Sequence, residues 1–300
     1  MVKKTSNPTS RFTILHGVIL LVGLLVFVLL LFADKTNLDN DAETAMGGRT
    51  GDGGNSSETV QPASSGLMTE LIEKLPSDDS GDNIAQLRTA LDAEGNPAQR
   101  EELFKQIVEA YSQSGRLDLA AVYASYYASE VPSGRNFVVA GALFRNATQM
   151  PAPREDSVLF RRLSNEAIRH DESALELEPK NEDAMLELGL AMVESRIPGN
   201  SMQGIFKIRE ITELNPRNVD ALFHLGQFSM DTGQFDKAVK RFKQILEIQP
   251  DAPRAKYFLA LAEQSSGNSA EFKRLMSEVA MQMSDANYSQ MAKAALSETP

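Results

Sequence analysis

Few side chains in this chain stand at spacings that could do chemistry. The three histidines, His16, His170 and His224, are scattered, and none has a second His at metal-ligand spacing. There is no cysteine. That excludes a disulfide, a thiolate metal site, a covalent haem attachment and a lipid-modified cysteine. Paired acids such as Asp78-Asp79 and Glu101-Glu102 fall in turns or at helix starts, where negative charge complements the helix dipole. Met276, Met281, Met283 and Met291 are soft ligands by type, but at helical spacing methionine reads as core filler. The glycines of Gly51-Asp52-Gly53-Gly54 follow no strand, so they read as linker and not as a phosphate cradle. No catalytic, cofactor or metal residues are expected, and the chain does not read as an enzyme.

Charge bears on partners. The formal net charge is −11, and beyond residue 33 there are 27 basic against 41 acidic residues. Nucleic acid and anionic lipid headgroups both need a basic face, so both are disfavoured. A basic or apolar partner fits the balance, as does a role in solubility alone.

The elements that must carry any function are helices in a repeat. Residues 218–250 read as a helix, a turn at Asp231-Thr232-Gly233, and a second helix stopped by Pro250. Leu222, Leu225 and Phe228 line the first helix, with Gly226 leaving room for its partner. Ala238, Phe242 and Ile245 mark the inner face of the second. Upstream, Pro179, Asn181, Asp183, Ala184, Leu188 and Gly189 stand where Pro216, Asn218, Asp220, Ala221, Leu225 and Gly226 stand, at an offset of 37 residues. The extra residues fall in the Ile197-Pro198-Gly199-Asn200 turn, before a helix containing Gly204, Ile208 and Ile211. At this spacing the pattern resembles the tetratricopeptide repeat, a helix–turn–helix unit of about 34 residues. The resemblance covers residues 101–286 as five units: 101–134, 135–181, 182–218, 219–252 and 253–286. The second is the least regular and carries a loop at Met150-Pro151-Ala152-Pro153, whose prolines argue against helix throughout. The family's Trp is absent. One such unit cannot bury its apolar face alone, so the resemblance implies an all-α solenoid whose product is a binding surface.

Residues 12–33 carry no charge. At about 1.5 Å per residue they reach roughly 33 Å, enough to cross a hydrocarbon core of about 30 Å. Lys3, Lys4 and Arg11 precede the run, while Asp34, Asp39, Asp41 and Glu43 follow it. The expectation is one transmembrane helix of a cytoplasmic (inner) membrane, with tail 1–11 in the cytoplasm and the rest periplasmic or otherwise extracytoplasmic. The run is long for a cleaved signal, and Leu31-Phe32-Ala33 is a poor cleavage context. Residues 34–66, rich in Asp, Asn, Gly, Ser and Thr, read as a flexible linker with a mean span of about 30 Å. Residues 67–100 hold two amphipathic helices, near 67–75 and 82–94, that cap the array, and 287–300 hold a final helix and tail.

In the resembled family the concave groove is lined by the second, fifth, ninth and twelfth positions of each first helix. Carried onto this sequence, the resemblance implies a partner-binding groove of Leu186, Leu190, Phe223, Gln227, Met230, Tyr257 and Leu261. Arg254 falls at the second position of the last unit. The family's Lys and Asn set for a C-terminal carboxylate is missing. The expected occupant is an amphipathic helix or extended protein segment with some basic character. The alternative is the chain's own C-terminal helix, with Met291, Ala294 and Leu296 in the groove. The architecture is similar to that of membrane-anchored bacterial repeat proteins, among them subunits of cytochrome c biogenesis. That similarity implies a scaffold in assembly, folding or quality control. The other reading is a structural subunit of a larger membrane complex.

Overall fold

The computed structural model describes residues 81–282 and 285–298. The span 12–33, the linker 34–66 and the helix near 67–75 lie outside the described residues. Among the described residues there are thirteen helices and no strand, and none of the helices is long and apolar enough to cross a membrane. The chain divides into two compact units, one ending at Ala184 and one beginning at Met185.

In the first unit α1 (Gly81–Ala93) lies on α2 (Pro97–Gln113). The Arg100 guanidinium donates to the carbonyls of Leu91 (2.7 Å) and Glu94 (3.0 Å), which satisfies the C-terminal end of α1. Helix α2 starts four residues before the template boundary, because Asn96 caps it and Pro97 suits a first turn. Then follow α3 (Leu117–Glu130), α4 (Gly134–Ala147), α5 (Pro151–Glu155) and α6 (Ser157–Leu177), with α3 on α4 and α4 on α6. The Pro151-Ala152-Pro153 segment is a short helix, not an open loop. Both prolines sit in its first turn, where no N–H is needed for intrahelical bonding.

The core of this unit is partly polar. His170 is fully buried, between the rings of Phe137 and Phe144 (6.1 and 5.3 Å). Its Nδ1 lies 2.7 Å from the Glu166 carbonyl, so that nitrogen donates; Nε2 then accepts from the Ser125 hydroxyl at 2.8 Å. Asp171, also fully buried, lies against Gly141 of α4. A Cβ there would come within 2.1 Å of its Oδ1, so glycine at 141 makes the room.

Helix α7 (Glu182–Glu194) begins in the first unit and continues into the second. The second unit then holds α8 (Asn200–Leu214), α9 (Val219–Asp231), α10 (Phe235–Ile248), α11 (Pro253–Ser265), α12 (Ser269–Met281) and α13 (Ala286–Glu298). Hairpins α9–α10 and α11–α12 stack through α10 on α11, and α13 packs on α12 and α11. Small residues set the helix approach. A Cβ on Gly226 would stand 2.7 Å from the Phe242 ring, and one on Gly204 would stand 2.4 Å from the Gly189 carbonyl. The α9–α10 turn closes at Gly233 with φ +69°, a left-handed conformation that favours glycine. Phe242, Ile245, Phe272, Met276 and Val279 form a core that joins these hairpins.

Candidate functional site

The groove positions of the second unit fall on α7, α9 and α11. Phe223 and Tyr257 are members of the buried core, while Met230 and Leu261 pack at its margin and stay half-buried. Gln227 is half-buried on α9. On α7, Leu186 is half-buried and Leu190 is buried. The structure thus gathers Phe223, Met230, Tyr257 and Leu261 into one cluster.

The Phe223 ring faces inward. It meets Phe258 edge-on at 5.0 Å and Phe242 at 5.6 Å, and is only 3% exposed. Above it lies the exposed guanidinium of Arg254, 3.6 Å from the ring centroid. Where the family pattern puts Phe223 on the surface, this chain offers Arg254, with the ring as its seat. Tyr257 meets Phe258 edge-on and Tyr288 of α13 at a tilt, each at 5.6 Å. Burial raises the phenol pKa of both tyrosines; at Tyr288 the Arg254 charge pulls partly the other way. Both are therefore neutral hydroxyl donors.

Helix α13 does not offer the face expected of it. Met291 and Ala294 are exposed; Ser289 and Ala292 are buried, and Tyr288, Ala295 and Leu296 pack against the core. The Ser289 hydroxyl donates to the Ala280 carbonyl at 2.7 Å, fixing that rotation. The helix extends the row of first helices beyond α11. Tyr288 and Phe258 were missing from the groove expected from the sequence. The spacing of Tyr288, Ala292 and Ala295 was the available signal for this face.

A shallow cleft in the first unit is lined by Phe104, Lys105, Val108, Ala124, Tyr127, Asn136 and Val139. Its polar groups satisfy one another. Lys105 lies 2.8 Å from Glu101 and holds that carboxyl below its ordinary value. Burial and the Glu101 charge push the Tyr127 phenol up to about 12. The remaining candidates for chemistry are dispersed. His224 is half-buried beside Phe223, Met276 is core, Met281 is 74% exposed, and His16 and Met283 lie outside the described residues. Among the described residues no three His, Asp or Glu side chains gather as a metal site.

Residues 207–262 and 229–296 match the family model described as Tetratricopeptide repeat. The second unit carries tetratricopeptide repeats. Both matches lie within it, over the helices that hold Phe223, Arg254 and Tyr257. Among solved structures, a thermophilic tetratricopeptide protein of Thermus thermophilus is 18% identical, with a TM-score of 0.50, covering 64% of this chain and 96% of that one. The MamA protein is 18% identical, with a TM-score of 0.44, covering 66% of this chain and 96% of that one. YrrB, described as a tetratricopeptide protein with an unusual peptide-binding site, is 17% identical, with a TM-score of 0.41, covering 69% and 97%. No curated protein sequence matches the chain. The Thermus likeness shows a shared fold.

Proposed function

We propose that this protein is a membrane-anchored scaffold that holds a segment of another protein in the groove of its second unit, outside the cytoplasm. It would serve assembly, folding or quality control of a membrane or exported complex, cytochrome c biogenesis being one such setting. The observation that carries the binding role is the row of half-buried side chains Gln227, Met230 and Leu261 at the edge of an aromatic core. Apolar atoms left partly open beside a finished core are what a docked segment would cover. The uncharged run 12–33, with Lys3, Lys4 and Arg11 before it, supports the anchor and its orientation.

The test is photo-crosslinking in native membranes with probes at Gln227 and Leu261. Phe223 and Tyr257 are unsuitable positions because both are buried. A discrete adduct at both probes, abolished by Met230→Asp in a chain that still folds, is the expected result. Equal capture from an exposed outer position such as Lys240 would sink the groove as the binding surface.

A further inference from the structure

Arg254 is a cation placed among aromatic side chains, with no acid paired to it among the described residues. Among the described residues it makes no hydrogen bond and no ion pair. Other cations of the second unit are engaged: Lys243 with Glu263 at 2.8 Å, Lys207 with Glu210 at 3.0 Å, Arg209 with Glu213 at 3.4 Å. The acids near Arg254 by position are Asp220, one turn before Phe223, and Asp285. Asp285 is occupied with the backbone amides of Asn287 and Tyr288 (3.0 and 3.2 Å), and neither acid forms an ion pair with Arg254. The Tyr257 and Tyr288 hydroxyls likewise have no hydrogen-bond partner among the described residues.

The Phe223 ring, 3.6 Å from the guanidinium carbon, gives the side chain a fixed seat while the residue stays exposed. A planar fork pre-ordered in this way loses little freedom on meeting a carboxylate, and matches it with two parallel hydrogen bonds. Tyr288, whose phenol feels the Arg254 charge, adds a neutral hydroxyl nearby that can donate to the same carboxylate. The acidic excess of the chain also lies elsewhere. Residues 185–300 carry 13 basic and 14 acidic residues, so the whole-chain charge says little about this groove.

Resting on the groove reading above, we propose that the bound segment carries an internal Asp or Glu whose carboxylate forks onto Arg254, with apolar side chains on Met230 and Leu261. This replaces the basic segment that overall charge suggested. Arg254 sits on α11, with first helices to either side of it, α9 and α13, so a segment lying across the groove continues past it in both directions. That geometry selects a side-chain carboxylate over a chain end. Met230 and Leu261 each lie seven residues along from Phe223 and Arg254, about 10 Å at helical rise. A segment two or three residues longer than the acidic contact itself reaches them.

The experiment is selection from a random twelve-residue peptide library, displayed as internal segments, on the full-length protein in detergent. Wild type is compared with Arg254→Gln, Arg254→Glu and Met230→Asp/Leu261→Asp, each checked for helical content. Wild type should enrich Asp or Glu flanked by apolar residues. Arg254→Glu should lower recovery of those peptides by about tenfold or more and enrich Lys or Arg instead. Arg254→Gln should lose the acidic preference while keeping the apolar one. Acidic enrichment that survives in Arg254→Glu overturns the proposal. So does enrichment of basic peptides on wild type, or acidic enrichment seen only when the library has free C-termini or when the chain's own residues 1–80 are removed. Apolar enrichment lost in Met230→Asp/Leu261→Asp but indifferent to Arg254 overturns this inference and leaves the groove standing. No enrichment on wild type, or enrichment indifferent to all variants, overturns both.

Discussion

Where α9, α10 and α11 meet, the contacts are rings: Phe223, Phe242 and Phe258 within 5.0–6.0 Å of one another. Where α3, α4 and α6 meet, the same kind of junction buries His170, Asp171, Ser125 and Ser164. Both junctions are helix pairs in which a small residue admits a large neighbour. In the second unit Gly226 admits the Phe242 ring, and in the first Gly141 admits the Asp171 carboxylate. The difference teaches what the repeat pattern encodes. It specifies where backbones approach, and it tolerates a polar filler: the His170 imidazole there is hydrogen-bonded at both nitrogens. The family model matches 207–296, inside the unit whose filler is aromatic.

The largest expected effect breaks the aromatic junction. Phe242 is fully buried, and Phe242→Ala removes the ring that Gly226 was placed to admit. A large-to-small change of this kind costs about 3–5 kcal/mol, through lost transfer energy and an unfilled cavity. Urea unfolding should show that loss, and hydrogen exchange should speed up through α9–α12 while α2–α6 keep their protection. Equal loss of protection in both units would mean that the two cores are not separable, and the comparison would fail.

That comparison also explains what could be read from the chain. The α9–α10 hairpin is legible because Leu222, Ala238, Phe242 and Ile245 recur at helical spacing and form the core, with Gly226 admitting the Phe242 ring. The Ser125–His170 pair was not, since a hydrogen bond between residues 45 apart on different helices leaves no periodic trace. On α13 the alternative occupant of the groove rested on Met291, Ala294 and Leu296; Leu296 packs, while Ala292 and Ala295, which carry little weight in any pattern, take the place of the other two. Yet the two alanines fit the close approach to α12, and the methionine does not. In the groove, position alone put Phe223 on the surface. Its ring reaches from that position into the core, and Arg254 closes over it. Registers of a repeat locate Cα atoms well and long side chains poorly.

A second, smaller effect sharpens the polar side. Burial, with the Arg169 charge, lowers the His170 pKa from an ordinary 6.5 to about 3. The Glu166 carboxylate lies 3.9 Å away on the same helix, while Ser125 and the Phe137 and Phe144 rings face the imidazole from α3 and α4. The folded imidazole is therefore neutral down to about pH 3, whereas the unfolded one takes up a proton near 6.5. Between those values the unfolded chain binds more protons, so stability falls as pH falls and is unaffected above the window. The slope reaches at most about 1.4 kcal/mol per pH unit from this one group. Urea midpoints measured at pH 7.5 and 5.0 should separate for wild type and draw together in His170→Phe. An unchanged pH dependence in that variant would assign the effect to other groups and remove the polar core as its source.

The smallest effect asks whether the two units differ anywhere except in their cores. Both start helices with the same device. Asn96 Oδ1 accepts the amides of Ala98 and Gln99 at 3.0 and 3.2 Å, and Asn218 Oδ1 accepts that of Ala221 at 2.8 Å. Each removes orphan donors at a helix N-terminus, and replacing either Asn by Ala should cost about 1 kcal/mol. Measured by urea unfolding, Asn96→Ala and Asn218→Ala should therefore agree within a few tenths of a kcal/mol. Agreement places the contrast in what fills the junctions, because the local chemistry that begins the helices is then worth the same on both sides. A cost at Asn218 well above that at Asn96 would mean that the regular unit also leans harder on its caps. The matching of its sequence to the repeat would then reflect stronger local signals as much as a simpler core.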